Sequence, residues 1–215
     1  MDQHIKDALS APRIGTYETA TTGIPALPAA LALYAWNAQI SAAMLVPLHI
    51  CEVVIRNAVS DALTAEHGPQ WPWAQALERS LPAPSRGFNP KEELRRARSG
   101  KPSTGQVIAD LKFVFWQKMF TGRFDGRIWN PHLFVVLPNL DRRKSVQVLR
   151  KTIHDDLEVL RELRNRIAHH EPIFQRNLQL DLTKIEELIA FRCIDTAAWM
   201  LANQEVQTLI TTKPP

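Results

Sequence analysis

The sequence predicts an all-α chain, and three observations lead there. Apolar residues recur at steps of three and four, at Met44, Leu48, Cys51, Ile55, Val59 and Ala62 and again at Val146, Leu149, Ile153, Leu157, Leu160, Leu163 and Ile167, which is the spacing of one helix face. No segment shows the period-two alternation of a half-buried strand, and there is no hairpin signal or internal repeat. Asn89-Pro90-Lys91-Glu92 and Thr183-Lys184-Ile185-Glu186 have the residue types of helix starts. With 215 residues and 45% hydrophobic content, the chain has enough apolar surface for a substantial core. The expected architecture is an antiparallel helical bundle over residues 26–211. An N-terminal arm at 1–25, a surface insertion around 82–103 and a tail at 212–215 complete it.

In chain order, the first 25 residues end in TATTGIP and read as an arm or loop. Leu27 to about Ala65 is nearly continuous helix-former, with Pro47 as the expected kink or break. Glu52 and Arg56 lie one turn apart near its stripe, where they could pair with each other or, with Asn57, form a local polar cluster. His67-Gly68-Pro69 closes this helix, and WPWAQALERSL is a short one stapled by Trp71 and Trp73. Residues 82–105 are rich in Pro, Gly and Ser, and basic. Arg95, Arg96, Arg98 and Lys101 there suit either a phosphate-tracking strip or a mobile solvated loop, and the composition favours the loop. Gly100-Lys101-Pro102-Ser103-Thr104 lacks the upstream glycine, the preceding strand and the hydroxyl directly after Lys that a P-loop needs. Ser103 or Thr104 opens a helix burying Val107, Ile108, Leu111, Phe115 and Met119. GRFDGR at 122–127 is a turn with two exposed arginines, and Trp129 to Leu137 is a short apolar element. A long helix begins near Asp141, and the last runs from Lys184 to about Leu209.

Composition narrows the function classes. The net charge of +4 hides an asymmetry: residues 1–85 carry four Lys+Arg against seven Asp+Glu, net −3, and residues 86–215 carry 22 against 15, net +7. A positive half suits a polyanionic partner. Cys51 and Cys193 have no CxxC partner and no ligand-spaced histidines, so they read as buried thiols in a reducing compartment, with neither zinc nor a disulfide framework. The N-terminus lacks the apolar core of a signal peptide. The most apolar stretch, Ile40 to Ile55, is broken by polar residues and shorter than the roughly 20 residues that span a bilayer. The expectation is a cytoplasmic chain with no membrane partner and no cofactor.

Chemistry concentrates in Leu163-Arg164-Asn165-Arg166-Ile167-Ala168-His169-His170-Glu171-Pro172. With Val146 set at 0° and a 100° step, Arg164 falls near 0° on the apolar stripe, while Arg161, Asn165 and His169 fall at about 60°, 100° and 140° along one edge. His170 lands at about 240°, on the far side. An inward Arg164 requires a buried carboxylate or a polar cleft. Glu52 is the candidate carboxylate, and it would tie the first long helix to this one.

The spacing Arg164-Asn165-x-x-x-His169 resembles the R-N-x-x-x-H signature of HEPN (higher eukaryotes and prokaryotes nucleotide-binding) ribonucleases. RNRIAHHEPIF is similar to the abortive-infection (Abi-like) branch of that superfamily, as are LYAWNAQISAA, EVVIRN and FWQKMFTGRFDGRIW. The resemblance runs over most of residues 10–205. It implies a HEPN-type helical bundle and metal-independent RNA cleavage by 2′-OH attack. In that chemistry Arg164 stabilises the phosphoryl group, His169 is general acid/base and Asn165 orients His169 or the substrate. Arg161, His170, Glu52, Arg56 and Asn57 are the supporting or substrate-binding candidates. RNA is the implied partner, together with a second copy of the chain and a possible antitoxin or inhibitor, in a toxin of phage defence. The alternative is a non-catalytic module that binds RNA or protein and keeps the motif as an Arg–carboxylate–His network.

Overall fold

The computed structural model describes residues 1–21 and 26–214, and all regular structure among them is helical. Helices α1 (Asp2–Leu9) and α2 (Ala11–Ala20) replace most of the expected arm. One turn apart on α2, Ile14 and Tyr17 are fully buried, so this segment is a packed layer of the core. The stretch 22–25 of TATTGIP lies outside the described residues.

Helix α3 (Ala26–His67) is the central element and packs against α2 and several of the later helices. The expected stripe holds: Met44, Leu48, Cys51, Ile55, Val59 and Ala62 are all buried. No break occurs at Pro47. The proline forfeits a backbone hydrogen bond, but Pro47 and Leu48 are buried, and packing on both sides of the missing bond carries the helix through. The turn at Gly68, with φ of 84°, ends α3 in a conformation that suits glycine. As one helix, Leu27–His67 is long and apolar enough to cross a membrane, with a mean hydropathy of 1.7. This corrects the shorter estimate, which stopped at the polar interruptions.

A 3₁₀ turn (Trp71–Trp73) leads to α4 (Gln75–Ser80); Trp71 is fully buried and Trp73 is exposed. The expected loop around 82–103 holds α5 (Pro90–Arg98), capped by Asn89, whose side chain accepts from the Glu92 amide at 3.1 Å. Leu94 and Ala97 enter the core, and all three arginines are engaged. Arg95 and Arg98 reach Glu78 at 2.7 and 2.5 Å, and Arg96 reaches Glu93 at 2.9 Å. The segment is therefore neither a solvated loop nor a free phosphate strip, because its positive charge is matched by acids distant in sequence or buried beneath it.

The next expected helix is two: α6 (Thr104–Asp110), capped by Ser103, and α7 (Phe113–Met119), separated where Leu111 and Lys112 turn extended. A 3₁₀ turn (Gly122–Phe124), one turn of π-helix (Asp125–Trp129) and α8 (Asn130–Val136) follow without a gap. Helix α9 (Val146–Ala168) starts at Ser145, later than Asp141, because Asp141 is bound to Arg143 in the preceding turn. That pairing, first through the hydrogen bond and then the charge of Arg143, pulls the Asp141 carboxyl down to about 2. The final stretch is α10 (Leu178–Ala190), α11 (Ile194–Ala202) and α12 (Val206–Thr211). Asn177, not Thr183, is the cap of α10; the Thr183 hydroxyl donates back to the Gln179 carbonyl at 3.0 Å, as inside a helix. Cys51 is buried, and burial pushes its thiol up to about 12, whereas Cys193 is only partly buried.

Candidate functional site

The site is built on the last two turns of α9. Leu149, Ile153, Leu157, Leu160, Leu163 and Ile167 are buried, and their projections centre about 50° from Val146. Val146 lies in the first, half-buried turn and misplaces the stripe. Arg164 is therefore at the rim of the packed face and is exposed. It makes no ion pair and no hydrogen bond among the described residues, which overturns both the inward arginine and its pairing with Glu52. Glu52 does not pair with Arg56 either. The buried charge on α9 is Asp156, which Lys184 of α10 neutralises.

Arg161, Arg164 and Asn165 line a cleft of about 470 Å³ with Glu52 of α3 and with Lys112 and Phe113 from the α6–α7 junction. Phe88 and Asp110 complete its walls. Arg161 is held by both oxygens of Glu158, at 3.0 and 2.5 Å. That hydrogen bond raises the arginine's pKa and lowers the carboxylate's, so part of its charge is spent. Arg164 is the cation in the cleft left free to meet an anion along α9. Phe113 and Phe88 add flat apolar surface beside it.

The end of α9 is closed by backbone geometry. His169 donates its amide to the Asn165 carbonyl at 2.9 Å, His170 to Ile167 at 3.0 Å and Glu171 to Arg166 at 2.8 Å, the pair of bonds after the cap being a Schellman closure. It requires a left-handed residue, and His170 supplies it with φ of 55°. A side chain there costs about 1–2 kcal/mol. Neighbouring elements hold the conformation in place. Arg13 of α2 donates to the His170 carbonyl at 2.7 Å, and Arg166 donates to the Pro172 carbonyl at 2.7 and 3.1 Å. Asn37 of α3, buried, accepts from the Ile173 and Phe174 amides at 2.8 and 3.1 Å.

The predicted site residues thus divide. Glu52, Arg161, Arg164 and Asn165 share one cleft. His169 is exposed one turn beyond Asn165 and lines none of the described clefts; His170 faces a separate cleft of about 280 Å³ with Tyr17, Tyr34 and Leu45. Arg56 is half-buried with an unpartnered Nε, and Asn57 is exposed; neither reaches the Arg164 cleft. Lys112, Arg13 and Asn37 were missed. Only Asn37 left a signal, as a polar residue beside Leu33, Trp36 and Ile40 on the buried stripe of α3. No group of three or more His, Cys, Asp or Glu among the described residues could hold a metal ion. Comparisons with protein-family models, with curated proteins and with solved structures find no match for this chain.

Proposed function

We propose that the chain is a metal-independent endoribonuclease of HEPN type, resembling the Abi-like branch. The observation that carries the reading is the unpaired Arg164 guanidinium, which opens into a cleft with Asn165 and Lys112 while His169 stands exposed one turn away. A guanidinium without a carboxylate partner presents a fork of donors matched to a phosphoryl group and can stabilise charge that grows on it. Histidine is the side chain suited to moving protons near neutral pH.

In the proposed reaction the 2′-OH loses its proton to a base and its oxygen attacks the adjacent phosphorus. Arg164 neutralises the equatorial oxygens, and the 5′-oxygen leaves with a proton from an acid. The products are a 2′,3′-cyclic phosphate and a 5′-hydroxyl. One chain exposes a single motif histidine, and base and acid are both needed, so a second copy supplies the other His169. The exposed Leu45 and Val46 of α3, near the end of α9, are the apolar surface offered to it. The proposed setting is cytoplasmic phage defence by a toxin that an inhibitor protein restrains.

One observation favours a second reading, a module that binds RNA without cutting it: His169 lies outside the Arg164 cleft of the single chain. Purified protein with end-labelled RNA separates the two. The ribonuclease cleaves, and both Arg164→Ala and His169→Ala abolish cleavage. The module binds RNA, loses affinity in Arg164→Ala and never cleaves.

A further inference from the structure

A second basic cleft lies at the other end of α3, where the function above leaves the turn 122–127 without a role. Arg123 and Arg127 flank a cavity of about 180 Å³ whose floor is Phe124 and Ile128 and whose far wall is His67 and Ser80. Both arginines are exposed and neither makes an ion pair among the described residues. Asp125, the acid between them in sequence, is turned away and bound by Arg150 at 2.8 Å. Glu66, beside His67, lies 3.7 Å from His132. The positive charge of this cleft is thus left uncompensated by the acids nearest to it.

The scaffold under the arginines is rigid. Arg150 also donates to the Phe120 carbonyl at 3.3 Å, Trp129 Nε1 donates to the Met119 carbonyl at 2.7 Å, and Phe120 stacks on Trp129 at 4.3 Å. Gly122 belongs to the same clamp, since a Cβ there would meet Arg150 Nη2 at 3.3 Å. The turn of π-helix sets Arg127 beside His67, whose pKa is lowered first by burial, with the charge of Arg127 adding to the effect and Glu66 opposing it. Turns of this kind are frequent at functional sites.

We propose that the Arg123–Arg127 cleft is a second phosphate-binding site, which receives a backbone phosphate of the same RNA that enters the Arg164 cleft. The RNA part rests on the ribonuclease reading. Glu52 at one cleft and His67 at the other are fifteen residues apart on α3, about 22 Å. Both clefts lie along one flank of α9, because α7 and the turn after it follow that helix from Phe113, by way of the Gln117–His154 contact at 3.1 Å, to Arg150. An extended single strand of a few nucleotides bridges that distance, with the first cleft at the reacting phosphate and the second fixing the strand's direction.

The test uses the full chain in two arms. In the first, binding of a 12-nucleotide single-stranded RNA is measured against salt for wild type, Arg123→Ala/Arg127→Ala and a charge-matched control, Lys91→Ala/Lys144→Ala. The arginine variant should bind about tenfold more weakly, and its log–log salt slope should fall by roughly 1.4, about 0.7 for each lost phosphate contact on a single strand. The control should change far less. Equal behaviour of the two double variants overturns the proposal while leaving the ribonuclease reading intact. In the second arm inorganic phosphate is titrated while the His67 ring resonances are followed. A saturable shift that is absent from Arg123→Ala/Arg127→Ala is expected, and its absence from wild type overturns the site even if no RNA binds. A phosphate response with unaltered RNA affinity assigns the cleft to a small free anion and overturns the RNA contact.

Discussion

Replacing Asn37 by alanine should uncouple the end of α9 from the core. The Asn37 side-chain oxygen accepts the amides of Ile173 and Phe174, at 2.8 and 3.1 Å, and Asn37 is only 6% exposed. The substitution leaves two buried N–H groups without an acceptor, each costing about 1–3 kcal/mol. Water entering the space recovers part of that, so a net loss of about 2–4 kcal/mol is expected. For a chain of this size 1 kcal/mol corresponds to about 2–4 °C, which places the fall in Tm at about 5–15 °C. Asn37→Ser, which keeps a shorter acceptor, should fall by less. Hydrogen exchange at Ile173 and Phe174 should quicken beyond what the global loss accounts for, since these two amides lose their bonds directly. RNA cleavage should drop as well, because the left-handed turn at His170 and the preceding His169 lose one of their three anchors. Calorimetry and exchange measure this together. A Tm change under about 2 °C, or faster exchange spread evenly over α9 and α10, would show that Asn37 does not hold the turn.

Other perturbations follow from the same geometry. His170→Gly relieves a side chain at φ of 55° and, after the greater freedom of glycine in the unfolded chain, should raise stability by about 0.5–1 kcal/mol. It should also leave much of the cleavage intact, while His169→Ala abolishes it; equal inactivity with the fold intact would refute the separation of the two histidines. Glu52→Gln should leave Tm almost unchanged, since Glu52 makes no ion pair, and should tighten RNA binding about two- to fivefold by removing a negative charge from the Arg164 cleft; a loss of several kcal/mol would restore the buried pair. Glu93, 6% exposed, has its pKa lowered overall: burial raises it, but the bond from Arg96 and the Lys112 amide and charge outweigh that. Its contribution is therefore full above the ordinary value of 4.5 and lost as pH falls through the lower folded value, so Glu93→Gln should cost about 1–2 kcal/mol at pH 7 and little near pH 3. Cleavage should persist in EDTA and stop with 2′-deoxy substitution at the cut nucleotide; loss in EDTA that Mg²⁺ restores would rule out the proposed chemistry.

Helicity, the stripes of α3 and α9, the Asn89 and Ser103 caps and the stop at Gly68 were legible from the chain, because each depends on residues within a turn or two of one another. Periodicity locates a buried face to within tens of degrees, and that margin is where Arg164 lay: its charge falls inside or outside according to which helices close over the rim, and they leave it open. The same limit applies to Glu52, which joins the arginine's cleft without meeting its guanidinium. Pro47 shows the opposite override, a local breaker carried through by burial. The helix at 90–98 was read as a loop because its arginines looked uncompensated in a basic stretch, and their partners Glu78 and Asp110 come from separate elements. Asn37 and Arg13 meet the motif across 136 and 157 residues, a separation that no local pattern encodes. Local sequence determined which segments are helical and where the chemistry-bearing residues sit along them. Tertiary packing decided which charges are paired, which stay free to meet an anion, and how the end of α9 is held, since those depend on desolvation and on partners brought together only by the fold.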